Sequence, residues 1–192
     1  MERSRAAHGG RVGGCGGRER HSPRRWGAGV TEKKGETELR EADWLRQDVK
    51  RSPTAPGAAT CEEDAAGALD GVKEGKWGFH TTLEKDPWWQ VDLGRPIKLD
   101  RVVIYNRCDG FAERNSRLLV LLSIDGRQFR QVYQHGGTVF YGATDGKPLT
   151  VKLGGAEARF VRLALEGRSY LHLDEVEAYA VGEGDNIALG KH

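Results

Sequence analysis

The sequence predicts an all-β domain of the sandwich or jelly-roll kind, on three observations. From Trp88 onward the chain is a series of short apolar or β-branched runs. Turn-forming residues separate these runs at short, regular intervals. Within the first run, Trp89, Val91 and Leu93 alternate with Trp88, Gln90 and Asp92, the period of a strand with one face turned inward. Strands spaced in this way pack as two layers.

In order, the expected strands are Trp88–Leu93, Leu99–Tyr105, Arg117–Ile124, Phe129–Tyr133, Leu149–Leu153, Phe160–Leu165 and Val176–Ala180. Gly94-Arg95-Pro96, Asp125-Gly126, Gly136-Gly137, Asp145-Gly146 and Gly154-Gly155 supply turns between them. A regular strand cannot point Trp88 and Trp89 the same way, so one is expected in the core and the other to support a loop.

Upstream, residues 1–35 are rich in Gly and Arg, with little apolar content to offset the entropy of ordering. They are expected to be a disordered leader, in preference to an RNA- or anion-binding arm. Residues 36–50 are charged and predict a short helix around Leu39, Trp44, Leu45 and Val49, broken by Ser52-Pro53-Thr54-Ala55-Pro56-Gly57. The expected organisation is an extension over 1–50, one domain over 54–181, and a tail over 182–192.

Charge and cysteine usage narrow the function classes. The net charge of +2 is uneven: residues 1–25 hold seven Arg against two Glu, and the remainder holds 23 Lys and Arg against 26 Asp and Glu. The folded part is mildly acidic and offers no basic face to a nucleic acid. No apolar run is long enough to span a membrane. The basic N-terminus lacks the apolar stretch of a secretory signal, so this chain is not expected to carry one. Three cysteines, Cys15, Cys61 and Cys108, are too few for a disulfide framework, and no CxxC suggests zinc.

The polar residues that stand out are His80, then, after 26 residues, Arg107-x-Asp109-x4-Arg114. Between them lies Asp86-Pro87-Trp88-Trp89-Gln90-Val91-Asp92-Leu93-Gly94. This combination resembles the F-type lectin (fucolectin) branch of the discoidin, or coagulation-factor five/eight type C, superfamily. The resemblance implies a discoidin-like jelly-roll β-sandwich, galactose-binding-domain-like, over about residues 54–181. It also implies an extracellular or cell-surface setting, and a fucose-like sugar held by hydrogen bonds from His80, Arg107 and Arg114.

Those residue types suit a sugar. A guanidinium fork donates to two neighbouring hydroxyls and stays charged, and a neutral imidazole donates or accepts. An aromatic ring covers the apolar C–H face. Asp109 is expected to orient an Arg. Phe111 is the candidate ring, standing where lectin members place one of two adjacent cysteines. The resemblance further implies a structural Ca2+, with carboxylates from Asp70 and Glu175 and carbonyls from Gly67, Val72, Trp77 and Asp174; Asp70 also reads as a simple turn cap.

The function expected is therefore a non-catalytic carbohydrate-binding module with glycan partners, gaining avidity as an oligomer or tandem repeat. The alternative is a structural or protein-interaction discoidin domain, appended to a larger enzyme or surface protein, with no sugar site. No Ser or Cys nucleophile stands in a catalytic context; Cys108 beside Arg107 reads as an inert thiol. Asp185-Asn186-Ile187-Ala188-Leu189-Gly190-Lys191 resembles the opening of another discoidin repeat, so 182–192 is expected to be a linker and the start of a truncated second one.

Overall fold

The computed structural model describes Val49–Arg51 and residues 60–191. The Gly/Arg-rich stretch and all but the end of the helix expected over 36–50 lie outside these residues. At that end, 49–50 stand in a strand instead, because the edge of a central strand offers their backbone ready partners: Val49 pairs with Val91 and Arg51 with Trp89.

The architecture is a β-sandwich. Its strands are β1 (Val49–Arg51), β2 (Phe79–His80), β3 (Glu84–Lys85), β4 (Trp88–Tyr105), β5 (Leu119–Ser123), β6 (Arg130–Gln134), β7 (Leu149–Ala164), β8 (Arg168–Ser169), β9 (His172–Leu173) and β10 (Glu175–Ala180). The main sheet runs β1-β4-β7-β5-β6, with β10 also on β4, while β2 pairs with β9 and β3 with β8. Two pairs of expected strands are in fact single long ones. Gly94-Arg95-Pro96 does not end β4, and Gly154-Gly155 does not end β7. The reason is local. Gly94 adopts φ +86° and donates its N–H to Asp92 Oδ1 at 2.8 Å, so the chain bulges and pairing with β7 resumes at Ile97. A bulge bends a strand without terminating it.

The alternation around the two tryptophans holds. Trp89, Val91 and Leu93 are buried, and the Trp89 ring stacks on Phe79 at 5.9 Å. Trp88 faces the other way, with the Arg162 guanidinium 4.6 Å over its ring. Trp89 Nε1–H donates to the carbonyl of Ala65 at 3.0 Å. Ala65 belongs to α1 (Cys61–Ala66), a helix not expected from the sequence. Its signal is the Thr-x-x-Glu capping box: Glu63 N–H donates to Thr60 Oγ1, and Thr60 N–H to Glu63 Oε2. Cys61 and Cys108 do not form a disulfide.

The tail segment lies against the domain. Asn186 Oδ1 accepts from the N–H of Ala178, Ile187 N–H donates to the Ala178 carbonyl, and Gly190 N–H to the Leu69 carbonyl. Ala188 is fully buried there.

Candidate functional site

The sequence-predicted polar set gathers at one end of the sandwich. His80 is delivered by β2, whose partner β9 sets it opposite His172. The backbone N–H of His80 is anchored on Asp64 Oδ2 of α1 at 3.1 Å. Arg107, Asp109, Phe111 and Arg114 lie in the loop that leaves β4. That loop is held from beneath by two buried asparagines. Asn106 Nδ2 donates to the carbonyls of Ala112 and Phe140, and Asn115 Nδ2 donates to Asn106 Oδ1 at 2.7 Å and to the His172 carbonyl at 2.5 Å. Cys108 belongs to the same scaffold, with its N–H on the Gly75 carbonyl and its thiol on the Asn106 carbonyl. At the tip, Phe111 takes φ +60°, a conformation a bulky residue holds only when its surroundings enforce it.

Three aromatic rings lie against the two guanidiniums, and a pair of imidazoles adjoins those rings. Arg107 lies 4.6 Å from the Trp77 ring and 5.7 Å from that of Phe111. Arg114 lies 4.0 Å from Phe111 and 4.8 Å from Tyr170. The His80 ring contacts Trp77 edge-on at 6.3 Å, Tyr170 at 5.4 Å and His172 at 5.6 Å. Asp109 Oδ1 accepts from Arg107 Nε at 2.7 Å, so its place is beside that guanidinium. Phe111 is 53% exposed and Trp77 50%, unusually high for large apolar side chains. Trp77, Tyr170 and His172 were absent from the sequence-derived sugar set. Tyr170 and His172 share one face of an alternating segment, which is the signal that could have found them.

Electrostatics fix the protonation states. Burial lowers the His80 pKa, and the charges of Arg107 and Arg114 push the same way. Burial, helped by Arg107, His80 and Arg114, takes His172 down to about 3. Both imidazoles are neutral at pH 7. His172 is fully buried, and among the described residues neither ring nitrogen has a hydrogen-bond partner. The hydrogen bond from Arg107 holds the Asp109 carboxyl below its usual range. Among the described residues, the Arg114 guanidinium has no hydrogen-bond acceptor, and the Arg107 guanidinium has only Asp109.

Of the expected calcium residues, the structure brings Glu175 to the turn that follows Asp70, and the Gly67 carbonyl to that of Asp174. Glu175 is fully buried; its Oε1 accepts from the Gly71 N–H at 3.1 Å, and its Oε2 has no hydrogen-bond partner among the described residues. Burial, with Asp70 and Glu177 nearby, raises its pKa to about 8. Asp70 caps its own turn by accepting from the Val72 N–H at 2.7 Å. Asp174 Oδ2 accepts from the Gly75 N–H at 3.0 Å. The carbonyl oxygens of Gly67 and Asp174 converge beside Gly78, where any side-chain carbon would collide with both. No three His, Cys, Asp or Glu side chains of the described residues gather as a metal cluster. A cation here would rest largely on carbonyls, an acceptable set for a hard ion. The orphaned Glu175 oxygen and the convergent Gly67 and Asp174 carbonyls are oxygen donors of the kind such an ion takes.

Residues 52–176 match the F5/8 type C domain. The chain belongs to the F5/8 type C, or discoidin, family. This discoidin domain is 29% identical over 141 residues to Fucolectin-6 of Anguilla japonica, covering 71% of this chain and 74% of that one. Among solved structures, the lectin domain of lectinolysin, complexed with Lewis B antigen, is 32% identical with a TM-score of 0.55, over 71% of this chain and 94% of that one. A fucolectin from Morone saxatilis (striped bass) serum is 25% identical with a TM-score of 0.60, over 72% of this chain and 50% of that one. No helix among the described residues is long and apolar enough to cross a membrane.

Proposed function

We propose that this discoidin domain is a non-catalytic carbohydrate-binding module that takes fucose or a similar sugar at His80, Arg107 and Arg114. The observation that carries this is the pair of guanidiniums with donors left open among the described residues, Arg107 giving only its Nε–H to Asp109, framed by two half-exposed rings. Guanidinium forks reach adjacent hydroxyls, neutral His80 serves a third, and Trp77 and Phe111 offer faces to the C–H side of the ring. Asp109 positions Arg107. The similarity to a fucolectin and to a lectin domain solved with Lewis B antigen supports the same reading.

The test is a glycan array with the wild type and Arg107→Ala. Fucosylated glycans should bind the wild type, and the substitution should cost about 1.5–3 kcal/mol, the worth of a hydrogen bond to a charged group. No glycan signal, or a signal indifferent to the substitution, favours a structural or protein-interaction role.

A structural Ca2+ belongs to the same proposal, with Asp70 and Glu175 as carboxylates and Gly67, Val72, Trp77 and Asp174 giving carbonyls. Bound there, the ion would supply the positive charge that the buried Glu175 lacks, and it would tie the loop carrying Trp77 to β10. A ligand that binds only the folded state adds about 2.7 kcal/mol at a hundredfold excess over Kd. A chelator should therefore lower the melting temperature, and Glu175→Gln should abolish the calcium response. Identical melting in chelator and in millimolar calcium rules the ion out.

A further inference from the structure

We propose that residues 186–190 are a strap whose docking raises the affinity for sugar: seated on the domain, they hold the turn at residues 69–71 and, through it, the loop over 71–77 that carries Trp77. The affinity part rests on the sugar-binding reading above; the holding of the loop does not. The strap has a seat of its own. β10 pairs with β4 and, among the described residues, with no other strand, which leaves its outer edge to the tail. At that edge the Ala178 N–H donates to Asn186 Oδ1 at 3.0 Å, and the Ile187 N–H donates to the Ala178 carbonyl at 2.9 Å. Bonds of this kind let an added segment extend a sheet. Asn186 Oδ1 also accepts from the Ala188 N–H at 3.1 Å, and Ala188 is fully buried in the core.

The far end of the strap grips the turn. The Gly190 N–H donates to the Leu69 carbonyl at 2.8 Å, and Leu189 Cδ1 lies 3.1 Å from the point where a Cβ on Gly71 would stand. Past Gly71 the loop has little packing of its own. Between residues 71 and 77 only Gly75 is buried, and Val72 and Trp77 are half-exposed. A segment with so few buried contacts is ordered by its attachments. These are the Gly71 N–H on Glu175 Oε1, Lys73 Nζ on Glu177 Oε1 at 2.7 Å and the Gly75 N–H on Asp174 Oδ2. All three acceptors lie in or beside β10, the strand whose edge the strap covers. The loop passes its order on to the site. The Gly75 carbonyl accepts from the Cys108 N–H, next to Arg107, and the Trp77 ring lies 4.6 Å from the Arg107 guanidinium. Residues 181–185, which lead into the strap, are exposed, so it leaves its seat without disturbing the core strands. Docked and undocked are then two states with different affinity for sugar, and sugar favours docking by the same factor.

The experiment is amide hydrogen exchange on the full chain, paired with calorimetric titration by the methyl glycoside of fucose. Asn186→Ala removes an acceptor shared by two N–H groups. It should speed exchange at Gly71 and Gly75 about tenfold and leave the amides of the β4–β7 pairing protected. The fucoside affinity should fall about fivefold. Asn186→Asp keeps the accepting oxygen and should match the wild type in both readouts. Leu189→Ala, at an exposed position, should act in the same direction more weakly, and it carries the test if Asn186→Ala fails to fold. Unchanged exchange over 71–77 in both alanine variants overturns the strap. Faster exchange there with unchanged affinity overturns its link to the sugar site. If the wild type takes up no fucoside, the sugar reading fails, and the exchange data alone decide whether the strap holds the loop.

Discussion

Two parts of this domain stack arginines on aromatic rings, and they differ in what the guanidinium N–H groups meet. On the outer face of the main sheet, Arg162 lies 3.7 Å over Phe129 and 4.6 Å over Trp88, and Arg159 lies 4.9 Å over Phe160. Each has two nitrogens engaged: Arg159 makes two hydrogen bonds to the Asp92 carboxylate, and Arg162 makes two to Gln90 Oε1. At the loop end, Arg107 and Arg114 stack as closely, but among the described residues the Arg114 guanidinium has no acceptor and that of Arg107 has one. Arginine–ring stacking is thus common to a structural face and a candidate ligand site. Vacant donors beside exposed rings separate them.

The largest effect expected from the unsatisfied end involves His172. Its folded pKa of about 3 lies below the ordinary 6.5, so between these values the unfolded chain binds the extra proton. The stability contribution is complete above about pH 6.5 and is lost as pH falls towards 3, by at most about 1.4 kcal/mol per pH unit. Glu175, raised to about 8, works in the opposite sense from its ordinary 4.5 upward. The measurement is therefore the difference in unfolding free energy between wild type and His172→Phe across this range. A difference independent of pH would mean that His172 reaches solvent or a partner in acid without unfolding.

Next comes a direct exchange between the two regions. Arg114→Ala should cost about 1.5–3 kcal/mol in sugar affinity, with unfolding free energy changed by no more than about 0.5 kcal/mol. Arg162→Ala should do the reverse. It removes two hydrogen bonds and two ring contacts and leaves Gln90 Oε1 without its donor, for a loss of about 1–2 kcal/mol in stability and none in binding. If both variants lose affinity, or both lose stability, donor vacancy is not what distinguishes the two places.

The sandwich was legible because alternation around Trp89-Val91-Leu93 reports a buried face directly. Strand ends were not: Gly94 and Gly154-Gly155 signal a reversal of the chain, and a bulge uses the same positive φ without reversing it. The spacing of His80, Arg107, Asp109 and Arg114 pointed to residues that the structure brings to one end. Trp77, Tyr170 and His172 were harder to see. They reach the cluster through the pairing of β2 with β9 and through the loop running from Gly71 to Trp77, contacts between parts of the chain about 90 residues apart. The buried Asn106 and Asn115 pair, which holds the arginine loop, carries no sequence pattern of its own.

The smallest expected effect tests how Arg107 is held. Its guanidinium has two supports, the Trp77 and Phe111 rings and the Asp109 carboxylate. The Asp109 side chain is 36% exposed, and ion pairs open to water are worth at most about 1 kcal/mol. Asp109→Asn keeps an oxygen acceptor and loses the charge, so sugar affinity should fall by less than about fivefold, with melting unchanged. Asp109→Ala removes the acceptor as well and should cost somewhat more. Because the Asp109 pKa is already lowered by the Arg107 hydrogen bond, the wild-type contribution should be constant through neutral pH. A loss as large as that of Arg107→Ala would place Asp109 on the sugar itself. No loss from either variant would assign the positioning of Arg107 to the rings alone, and the two arginine regions would then differ only in where their rings are exposed.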